Sequence, residues 1–232
     1  MAFLEVADIH TYYGQSHILE GVSLEVERGE VVAVLGRNGV GKTTTLRSIL
    51  QLTPPRSGSI RFQGTELRGL ETHDVADLGI GWIPEERRIF SQLSVAENIR
   101  IAVPPGSAVG PALEQAYETF PDLREFKDRD AGTLSGGQQQ MLAIARGLAG
   151  ENDCLLVDEP SEGLAPQIVE TVAEALSTVA TDTTMVLVEQ NLPLALDLAD
   201  RFYILDNGQV VDSGETAAVS PTSERLRRYL AA

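Results

Sequence analysis

The sequence predicts an α/β fold with a parallel sheet at its core, an antiparallel β part at the N-terminus and an inserted helical segment. Three observations lead to this prediction. Short apolar runs of strand length alternate with helical patterns over 30–50 and 154–188. The first 30 residues contain two strand-like segments with little helix between them. The stretch 88–150 contains helical patterns and no convincing strand.

The N-terminal part opens with two strand patterns, Phe3–Ile9 and Ile18–Val26. The apolar run Glu30–Leu35 follows, then a group of glycines, and then the segment Lys42–Leu50. This order predicts a buried strand, a loop and a helix, which is the first unit of the parallel core.

The inserted segment is predicted to begin its first helix at Ser94–Glu97, which has the spacing of a capping box. The stretch 103–111 is rich in proline and glycine and breaks this helix. Two further helices are predicted over 111–120 and 135–148, with Gly150 as the C-cap of the second.

The C-terminal part returns to the alternation of strand and helix. The strands Cys154–Val157 and Thr184–Val188 enclose a helix over 165–179 whose apolar side chains share one face. Asn207-Gly208 stands between two apolar runs and is a strong hairpin signal. Some antiparallel pairing is therefore expected beside the parallel strands.

The composition indicates a globular protein of a reducing compartment. Of 232 residues, 43% are hydrophobic and 22% charged, which excludes disorder and fibrous repeats. No apolar run approaches the ~20 residues that span a bilayer. The first residues reach the acidic Glu5 and are not expected to form a signal peptide. Cys154 is the single cysteine, so no intrachain disulfide is expected.

The charge balance is strongly negative. Acidic residues number 34 and Lys+Arg 18, a net charge of −16, and Lys42 and Lys127 are the only lysines. A surface of this sign repels nucleic acid and anionic lipid, so neither is expected as a partner. An acidic, lysine-poor surface suggests a salt-rich, halophilic cytoplasm. A genome that favours arginine codons is the alternative.

A phosphate-binding loop is predicted at Gly36–Thr43, which matches G-x-x-x-x-G-K-[ST] in the strand–loop–helix setting that this motif requires. The glycines let successive N–H groups point inward as an anion nest, and the helix N-terminus adds its dipole. Lys42 is expected to reach the β- and γ-phosphates and Thr43 to hold Mg²⁺. The motif in this setting resembles that of the P-loop NTPases, and the resemblance implies a parallel core of the RecA-like type.

Two acidic residues, Asp158 and Glu159, end the strand pattern Cys154–Val157. Beside a phosphate loop, Asp158 is expected to hold Mg²⁺ and Glu159 to act as the general base that polarises the attacking water. Solvated acids at a strand end are the common alternative, and the phosphate loop favours the catalytic interpretation.

The segment Leu134-Ser-Gly-Gly-Gln138 resembles the signature motif of the ABC-type ATPases. The order and spacing also match the family, with Gly36–Thr43 upstream and Leu155–Pro160 downstream, so the resemblance covers essentially the whole chain. It implies one ATPase domain over 1–232 in three parts. These are an antiparallel β part over 1–30, a P-loop core over 31–87 and 151–232, and a helical subdomain with the signature motif over 88–150.

The resemblance assigns roles to individual residues. In the family's head-to-tail dimer, the signature motif of one chain caps the γ-phosphate on the loop of its partner. Tyr13 would stack on adenine, in preference to Tyr12. The other implied ATP-binding residues are Gly36, Arg37, Asn38, Gly39, Val40, Gly41, Lys42, Thr43 and Thr44. The motif residues acting in trans are Leu134, Ser135, Gly136, Gly137 and Gln138. The implied metal ligands are Thr43, Glu85 and Asp158, and the implied catalytic residues are Lys42, Glu159 and Gln190.

Three positions depart from the family's usual pattern. Glu85 stands where the family usually has Gln, and Ala165 where a dimer-contact loop usually ends in Asp. Gln190 stands where a His usually contacts the γ-phosphate. A glutamine donates a hydrogen bond but does not titrate, so no histidine-dependent step is expected here.

The same departures resemble one subfamily, the shorter ATPase subunit of branched-chain amino-acid importers. The segments that carry this resemblance are Pro84–Arg88, Glu159–Pro166 and Val188–Asn191. The resemblance also leads us to expect a chain of about this length, because the regulatory domain of sugar importers is not part of this subunit. Urea and short-chain amide importers have similar subunits and stay an alternative.

The resemblance implies ATP and Mg²⁺ as cofactors and the cytoplasmic face of the cell membrane as the location. The implied partners are transmembrane permease subunits, which would face Glu86–Asn98, and a second ATPase subunit. A sibling chain is favoured over a second copy, and an extracytoplasmic solute-binding protein would take part indirectly. A soluble ABC-type ATPase is less favoured, because tandem units and a basic surface are missing. A small GTPase or kinase is disfavoured by the lack of Asn-Lys-x-Asp and by the signature motif.

Overall fold

The computed structural model describes residues 2–230. Met1, Ala231 and Ala232, the ends of the predicted domain, lie outside the described residues. Within this range the strands are β1 (Leu4–Tyr13), β2 (Ser16–Val26), β3 (Val31–Leu35), β4 (Ser57–Phe62), β5 (Thr65–Glu66), β6 (Ile80–Ile83), β7 (Cys154–Asp158), β8 (Thr184–Glu189), β9 (Arg201–Asp206) and β10 (Gln209–Glu215). The helices are α1 (Lys42–Ile49), α2 (Thr72–Asp77), α3 (Val95–Ala102), α4 (Val109–Thr119), α5 (Pro121–Glu125), α6 (Gly136–Leu148), α7 (Pro166–Ala180), α8 (Leu192–Leu198) and α9 (Glu224–Leu230).

The antiparallel sheet has the strand order β2-β1-β4-β5. β1 and β2 lie where the sequence predicts strands. β4 and β5 were missed, and they lie in the segment 31–87 that the sequence analysis assigned wholly to the core. In β4 only Ile60 and Phe62 are buried, so the alternation is too short to identify the strand. The antiparallel part therefore extends beyond residues 1–30 and takes in 57–66.

The second sheet has the order β10-β9-β3-β8-β7-β6. Its neighbours pair in parallel except for β10, which is antiparallel to β9. Every residue of β3, β7 and β8 is buried, which is why these strands are continuous apolar runs in the sequence. The predicted parallel core is confirmed. Because parallel strands end at the same edge, the loops after β3, β7 and β8 lie side by side.

The hairpin of β9 and β10 turns at Asn207 and Gly208, with φ of 46° and 74°. Positive φ at both central residues is the feature of a type I′ turn, which suits the twist of a hairpin. A Cβ at Gly208 would also lie 2.2 Å from the carbonyl oxygen of Ile18. The predicted hairpin is confirmed, and glycine is required there for two reasons.

The segment 88–150 contributes α3 to α6 and no strand. The hydroxyl of Ser94 accepts a hydrogen bond from the Glu97 N–H at 3.2 Å, and the Glu97 carboxylate accepts one from the Ser94 N–H at 2.8 Å. The predicted capping box at the start of α3 is therefore confirmed.

The prediction that Gly150 caps α6 was wrong. The helix ends at Leu148, its C-cap residue Ala149 has a right-handed backbone, and Gly150 is not left-handed. The side-chain amide of Asn152 donates to the carbonyl oxygens of Gly147 and Gly150, at 2.9 and 3.2 Å. A side chain thus satisfies the carbonyls that a left-handed glycine satisfies at many helix ends.

Two apolar clusters cover the two faces of the six-stranded sheet. Along β3, Val32 and Val34 belong to the cluster shared with the antiparallel sheet and α1, whereas Ala33 and Leu35 belong to the cluster shared with α6 and α7. Strand side chains alternate between faces, so this sheet lies between the antiparallel sheet and the helices. Among the residues described, no helix combines the length and hydropathy that a membrane crossing needs.

Candidate active site

The predicted phosphate loop connects β3 to α1, and close contacts require glycine at two of its positions. A Cβ at Gly36 would lie 2.5 Å from the carbonyl oxygen of Leu205. Gly41 has φ +113, and a Cβ there would lie 2.6 Å from Leu19 Cδ2. Gly41 is also the N-cap of α1 and offers no side chain to cap it. The first N–H groups of α1 therefore have no side-chain cap, and the binding of an anion by them stays a prediction.

Lys42 is buried at the start of α1, with 3% of its surface exposed. Its ammonium donates hydrogen bonds to the carbonyl oxygens of Gly36 and Arg37, at 2.8 and 3.0 Å. It also forms an ion pair with Glu159 Oε1 at 3.0 Å. The three donors of the ammonium are thus directed at the loop and at the predicted general base.

Glu159 follows β7 and is held from both sides. Its exposed fraction is 7% and its backbone is left-handed, with φ +45. Its N–H donates to the carbonyl oxygen of Val188 on β8, at 2.9 Å. Its Oε2 accepts a hydrogen bond from Gln190 Nε2 at 2.8 Å, and the same amide donates to Asn38 Oδ1. The structure therefore brings Lys42, Glu159 and Gln190 together.

Asp158, the last residue of β7, lies beside Thr43. The Thr43 hydroxyl donates to Asp158 Oδ1 at 3.1 Å. Asp158 Oδ2 is buried and has no hydrogen-bond partner. Burial raises the pKa of Asp158 to about 6, and the charge of Glu159 adds to this rise. The Thr43 bond and the positive charge of Lys42 lower the pKa in part.

The pair Thr43 and Asp158 fits Mg²⁺, because this ion takes oxygen ligands and Asp158 has a buried oxygen without a partner. No group of three or more His, Cys, Asp or Glu side chains forms a metal centre within residues 2–230. A pair of protein ligands such as Thr43 and Asp158 is sufficient for Mg²⁺ bound with a nucleotide, because waters and phosphate oxygens supply the other ligands.

Glu85 lies in the loop after β6 and lines the same cavity as Lys42 and Glu159. A hydrogen bond with Glu162 raises the pKa of Glu85 to about 7, with further contributions from burial and from the negative charges of Glu162, Glu159 and Asp158. When two neighbouring carboxyl groups share one proton, the pKa of one of them is raised. Sequence reasoning missed Glu162, because its partner is 77 positions away along the chain.

The two candidate tyrosines differ in their surroundings. Tyr13 is 43% exposed and lines the loop cavity, whose volume is about 400 Å³. Tyr12 stacks on the ring of His17, with centroids 4.1 Å apart, and the Arg56 guanidinium lies over the Tyr12 ring, 4.1 Å from its centroid. The structure therefore leaves Tyr13, the preferred candidate, available at the cavity, whereas the ring of Tyr12 is already in contact.

The motif Leu134–Gln138 forms the start of α6. Leu134 is buried and anchors it. The Ser135 hydroxyl accepts from the Gln138 N–H at 3.3 Å, and Gln138 Oε1 accepts from the Ser135 N–H at 3.0 Å, so the pair forms a capping box. Ser135 and Gly136 are exposed. None of the five motif residues lines the cavity around Lys42.

Comparison with known proteins decides the family. The model of the family described as ABC transporter matches residues 19–162, which is more than half of the chain. The chain belongs to the ABC transporter family. This ABC protein is 42% identical to the high-affinity branched-chain amino acid transport ATP-binding protein BraG of Pseudomonas aeruginosa, over 92% of the chain and 94% of BraG.

Two further matches extend the likeness of this ABC protein. It is 36% identical to the probable branched-chain amino acid transport ATP-binding protein LivF of Archaeoglobus fulgidus, over 91% of each chain. It also matches the solved dimeric structure of an ATP-binding cassette in a post-hydrolysis state bound to ADP and Pi. That match has a TM-score of 0.80 and 25% identity, over 92% of this chain and 98% of the other. The predicted family, fold class and ATP hydrolysis are thereby confirmed.

One buried acid of this ABC ATPase was not singled out by sequence reasoning. Glu189, the last residue of β8, is 2% exposed. Its carboxylate accepts hydrogen bonds from the N–H groups of Ser161, Gln190 and Asn191. An acidic residue at the end of a fully apolar strand pattern is the signal that could have identified it.

Proposed function

We propose that this ABC ATPase energises an importer of branched-chain amino acids. The support is the likeness to two branched-chain amino acid transport ATP-binding proteins, at 42% and 36% identity over more than nine-tenths of each chain. In this proposal ATP binding closes a dimer of ATPase subunits, closure moves the membrane subunits, and hydrolysis reopens the dimer.

The triphosphate would lie along the residues of the loop, Gly36, Arg37, Asn38, Gly39, Val40, Gly41, Lys42, Thr43 and Thr44. Lys42 would then exchange its carbonyl partners for β- and γ-phosphate oxygens, because a charged phosphate is a stronger acceptor than a peptide carbonyl. Tyr13 would stack on the adenine, which its exposure at the cavity supports.

Mg²⁺ would be held by Thr43 and Asp158, with Glu85 nearby, and when bound would neutralise charge on the phosphates. Glu159 would accept the proton of the attacking water. Gln190 would orient Glu159 through the 2.8 Å hydrogen bond between Nε2 and Oε2. Unlike a histidine, this amide keeps its hydrogen-bonding role across the physiological pH range.

A second ATPase subunit would complete the site. The exposed Ser135 and Gly136 stand at the start of α6, outside the cavity of their own chain, and would cap the γ-phosphate on the partner's loop. The likeness to a dimeric cassette with ADP and Pi supports this arrangement. A sibling chain is the favoured partner and a second copy the alternative.

Permease subunits would hold the chain at the cytoplasmic face of the membrane. The segment Glu86–Asn98 would face them, with Phe90 46% exposed at its surface. An extracytoplasmic solute-binding protein would deliver the cargo. In this proposal residues 1–232 act as one ATPase domain, whose helical subdomain over 88–150 carries both the permease contact and the signature motif.

The observation that carries the proposal is the cluster of Lys42, Thr43, Asp158 and Glu159 at the phosphate loop, in which the lysine and the two acids are buried. The test is uptake of labelled leucine into proteoliposomes that contain the permease pair, both ATPase subunits and the solute-binding protein. ATP inside should support uptake, and Lys42→Ala or Ser135→Ala should abolish it. Glu174→Gln, on the exposed face of α7, is the matched control. Leucine uptake that is unchanged in Lys42→Ala and Ser135→Ala would contradict the proposal. ATP hydrolysis by the proteoliposomes that is stimulated by urea and not by leucine would favour the amide importers.

A further inference from the structure

Glu189 is a buried acid whose hydrogen bonds go to two different loops. It ends β8, next to β3 on one side and β7 on the other. Its Oε1 accepts from the Ser161 N–H at 3.1 Å, in the loop after β7. Its Oε2 accepts from the N–H groups of Gln190 and Asn191, both at 2.8 Å, in the loop after β8.

A carboxylate at this depth is costly unless its oxygens are satisfied. Burial raises the pKa of Glu189, and the hydrogen bonds from Ser161, Asn191 and Gln190 lower it in part. Hydrogen bonds to a charged acceptor are shorter and stronger than neutral ones. The three N–H groups therefore stabilise the carboxylate, and the carboxylate in turn fixes the backbone of both loops.

These two loops carry the groups proposed for the chemistry. Ser161 is two positions after Glu159, whose left-handed backbone at φ +45 must be held by its surroundings. Gln190 directly follows Glu189, and its side chain donates to Glu159 at 2.8 Å. The 190–191 loop continues into α8, where the Asn191 side chain accepts from the Leu194 N–H at 3.3 Å.

We infer that Glu189 is a positioning residue for ATP hydrolysis, which holds the loop of Glu159 against the loop of Gln190. The inference rests on the proposed roles of Glu159 and Gln190. Glu189 acts through the backbone N–H groups of Ser161 and Gln190, which its carboxylate accepts as hydrogen-bond donors. Loss of its charge should misplace Glu159 relative to Lys42 without changing the phosphate-binding residues.

The substitution Glu189→Gln tests this at constant volume. A glutamine has one acceptor oxygen, and its NH₂ group would face an N–H donor from one of the two loops. The loop that carries this N–H would then lose its hydrogen bond to residue 189. Misplacement of a catalytic group by about 1 Å costs on the order of 100-fold in rate, so we expect a kcat for ATP that is roughly 10- to 100-fold lower. The KM for ATP should stay within about twofold, because uniform binding by the phosphate loop is unaffected.

The experiment measures steady-state ATP hydrolysis by the assembled ATPase for wild type, Glu189→Gln, Glu189→Asp and the exposed control Glu174→Gln. Glu189→Asp keeps the charge but is one methylene shorter, and should fall between wild type and Glu189→Gln. The double variant with Gln190→Ala should lose less activity than the product of the two single losses, since both changes act on Glu159. The inference would be overturned if the loss of kcat in the double variant equalled the product of the two single losses. It would also be overturned if Glu189→Gln had the kcat of wild type.

Hydrogen exchange on the wild-type chain gives a readout that does not depend on the variants. The amides of Ser161, Gln190 and Asn191 should be protected, and in Glu189→Gln protection should fall in one loop while the Gly36–Thr43 peptide is unchanged. Fast exchange of the three amides in wild type would overturn the inference even if the variants do not fold. Wild-type chain that hydrolyses no ATP would instead contradict the proposed function.

Discussion

Lys42 and Glu159 form a buried ion pair at the phosphate loop, with 3.0 Å between Nζ and Oε1. The same lysine is expected to bind phosphate oxygens, and the same glutamate is proposed as the general base. While Lys42 contacts Oε1, that oxygen is occupied and is not free to face the attacking water. Phosphate oxygens that attract Lys42 would therefore release Glu159 for the reaction, so that the base becomes active when the nucleotide is bound.

The first prediction concerns Glu159→Gln, which keeps the volume of the side chain and removes its charge. General bases contribute about 100- to 10,000-fold, so we expect kcat for ATP to fall by roughly that factor. Binding of ATP should be retained or tightened, because Lys42 no longer has a carboxylate as a competing partner. Single-turnover hydrolysis and equilibrium binding of labelled ATP check the two parts. Turnover equal to that of the exposed control Glu174→Gln would count against the role of Glu159.

The second prediction concerns Gln190→Ala. The Gln190 amide donates to Glu159 Oε2 at 2.8 Å, and a hydrogen bond to a charged group contributes about 1.5–3 kcal/mol. We expect kcat to fall roughly 10- to 100-fold with little change in KM. Gln190→Ala with the turnover of wild type would reject the contact, and Gln190→His should restore part of the activity together with a new pH-dependent step.

How far the sequence predicts this molecule depends on how local each signal is. β3, β7 and β8 are buried along their whole length, so their apolar runs identify them directly. The phosphate loop can also be identified from one continuous segment, because its glycines and the start of α1 are adjacent in the sequence. β4 is different, because Ile60 and Phe62 are its only two buried residues, and two residues are too few to show an alternation of apolar and polar side chains.

The candidate site shows the same limit. Lys42, Asp158 and Glu159 follow from the phosphate loop and from the end of an apolar strand. The Glu85–Glu162 contact joins two loops that come together only in the folded chain, and no local pattern indicates it. The hydrogen bonds of Glu189 likewise depend on which N–H groups face β8, which composition and spacing do not specify.

The third prediction concerns stability and pH. The hydrogen bond with Glu162 raises the pKa of Glu85 from 4.5 to about 7. A carboxyl whose folded pKa is raised binds its proton more tightly in the folded state, so stability falls as pH rises from about 4.5 to about 7. Burial of Asp158, with its pKa raised from 3.8 to about 6, acts in the same direction.

Glu162→Gln should remove much of this dependence, because an amide donates to the Glu85 carboxylate and lowers its pKa. We expect the melting temperature of Glu162→Gln to exceed that of wild type at pH 7.5, and the difference to shrink or reverse at pH 5. Comparing the two proteins cancels the general effect of protonating other acids. A difference that does not change with pH would contradict the assigned contact.

The fourth prediction concerns salt. The net charge of −16 means that surface carboxylates repel one another at low ionic strength. At 1 M salt the screening length falls to about 3 Å, and most of this repulsion is removed. We therefore expect the melting temperature to rise as KCl is increased from about 0.1 M to about 1 M and to level off above that concentration. A flat curve would instead favour arginine-rich codon usage, without salt adaptation, as the origin of the composition.

The fifth prediction separates two neighbouring tyrosines. Tyr13 is 43% exposed at the loop cavity, whereas Tyr12 is stacked on His17. Base stacking on an aromatic ring contributes about 1–3 kcal/mol, so Tyr13→Ala should weaken ATP binding by roughly 5- to 150-fold. Tyr13→Phe should bind like wild type, because the ring and not the hydroxyl makes the contact.

Tyr12→Ala is the matched control for Tyr13→Ala on the same strand. It should leave the Kd for ATP within about twofold and lower the free energy of unfolding, since the contacts with His17 and Arg56 are lost; stacked and cation–π contacts of this kind contribute about 0.5–1.5 kcal/mol each. Isothermal titration with ATP and chemical unfolding measure the two effects. If Tyr12→Ala weakens ATP binding more than Tyr13→Ala, the assignment of the adenine contact is reversed, because the ring that matters is then the one that stacks on His17.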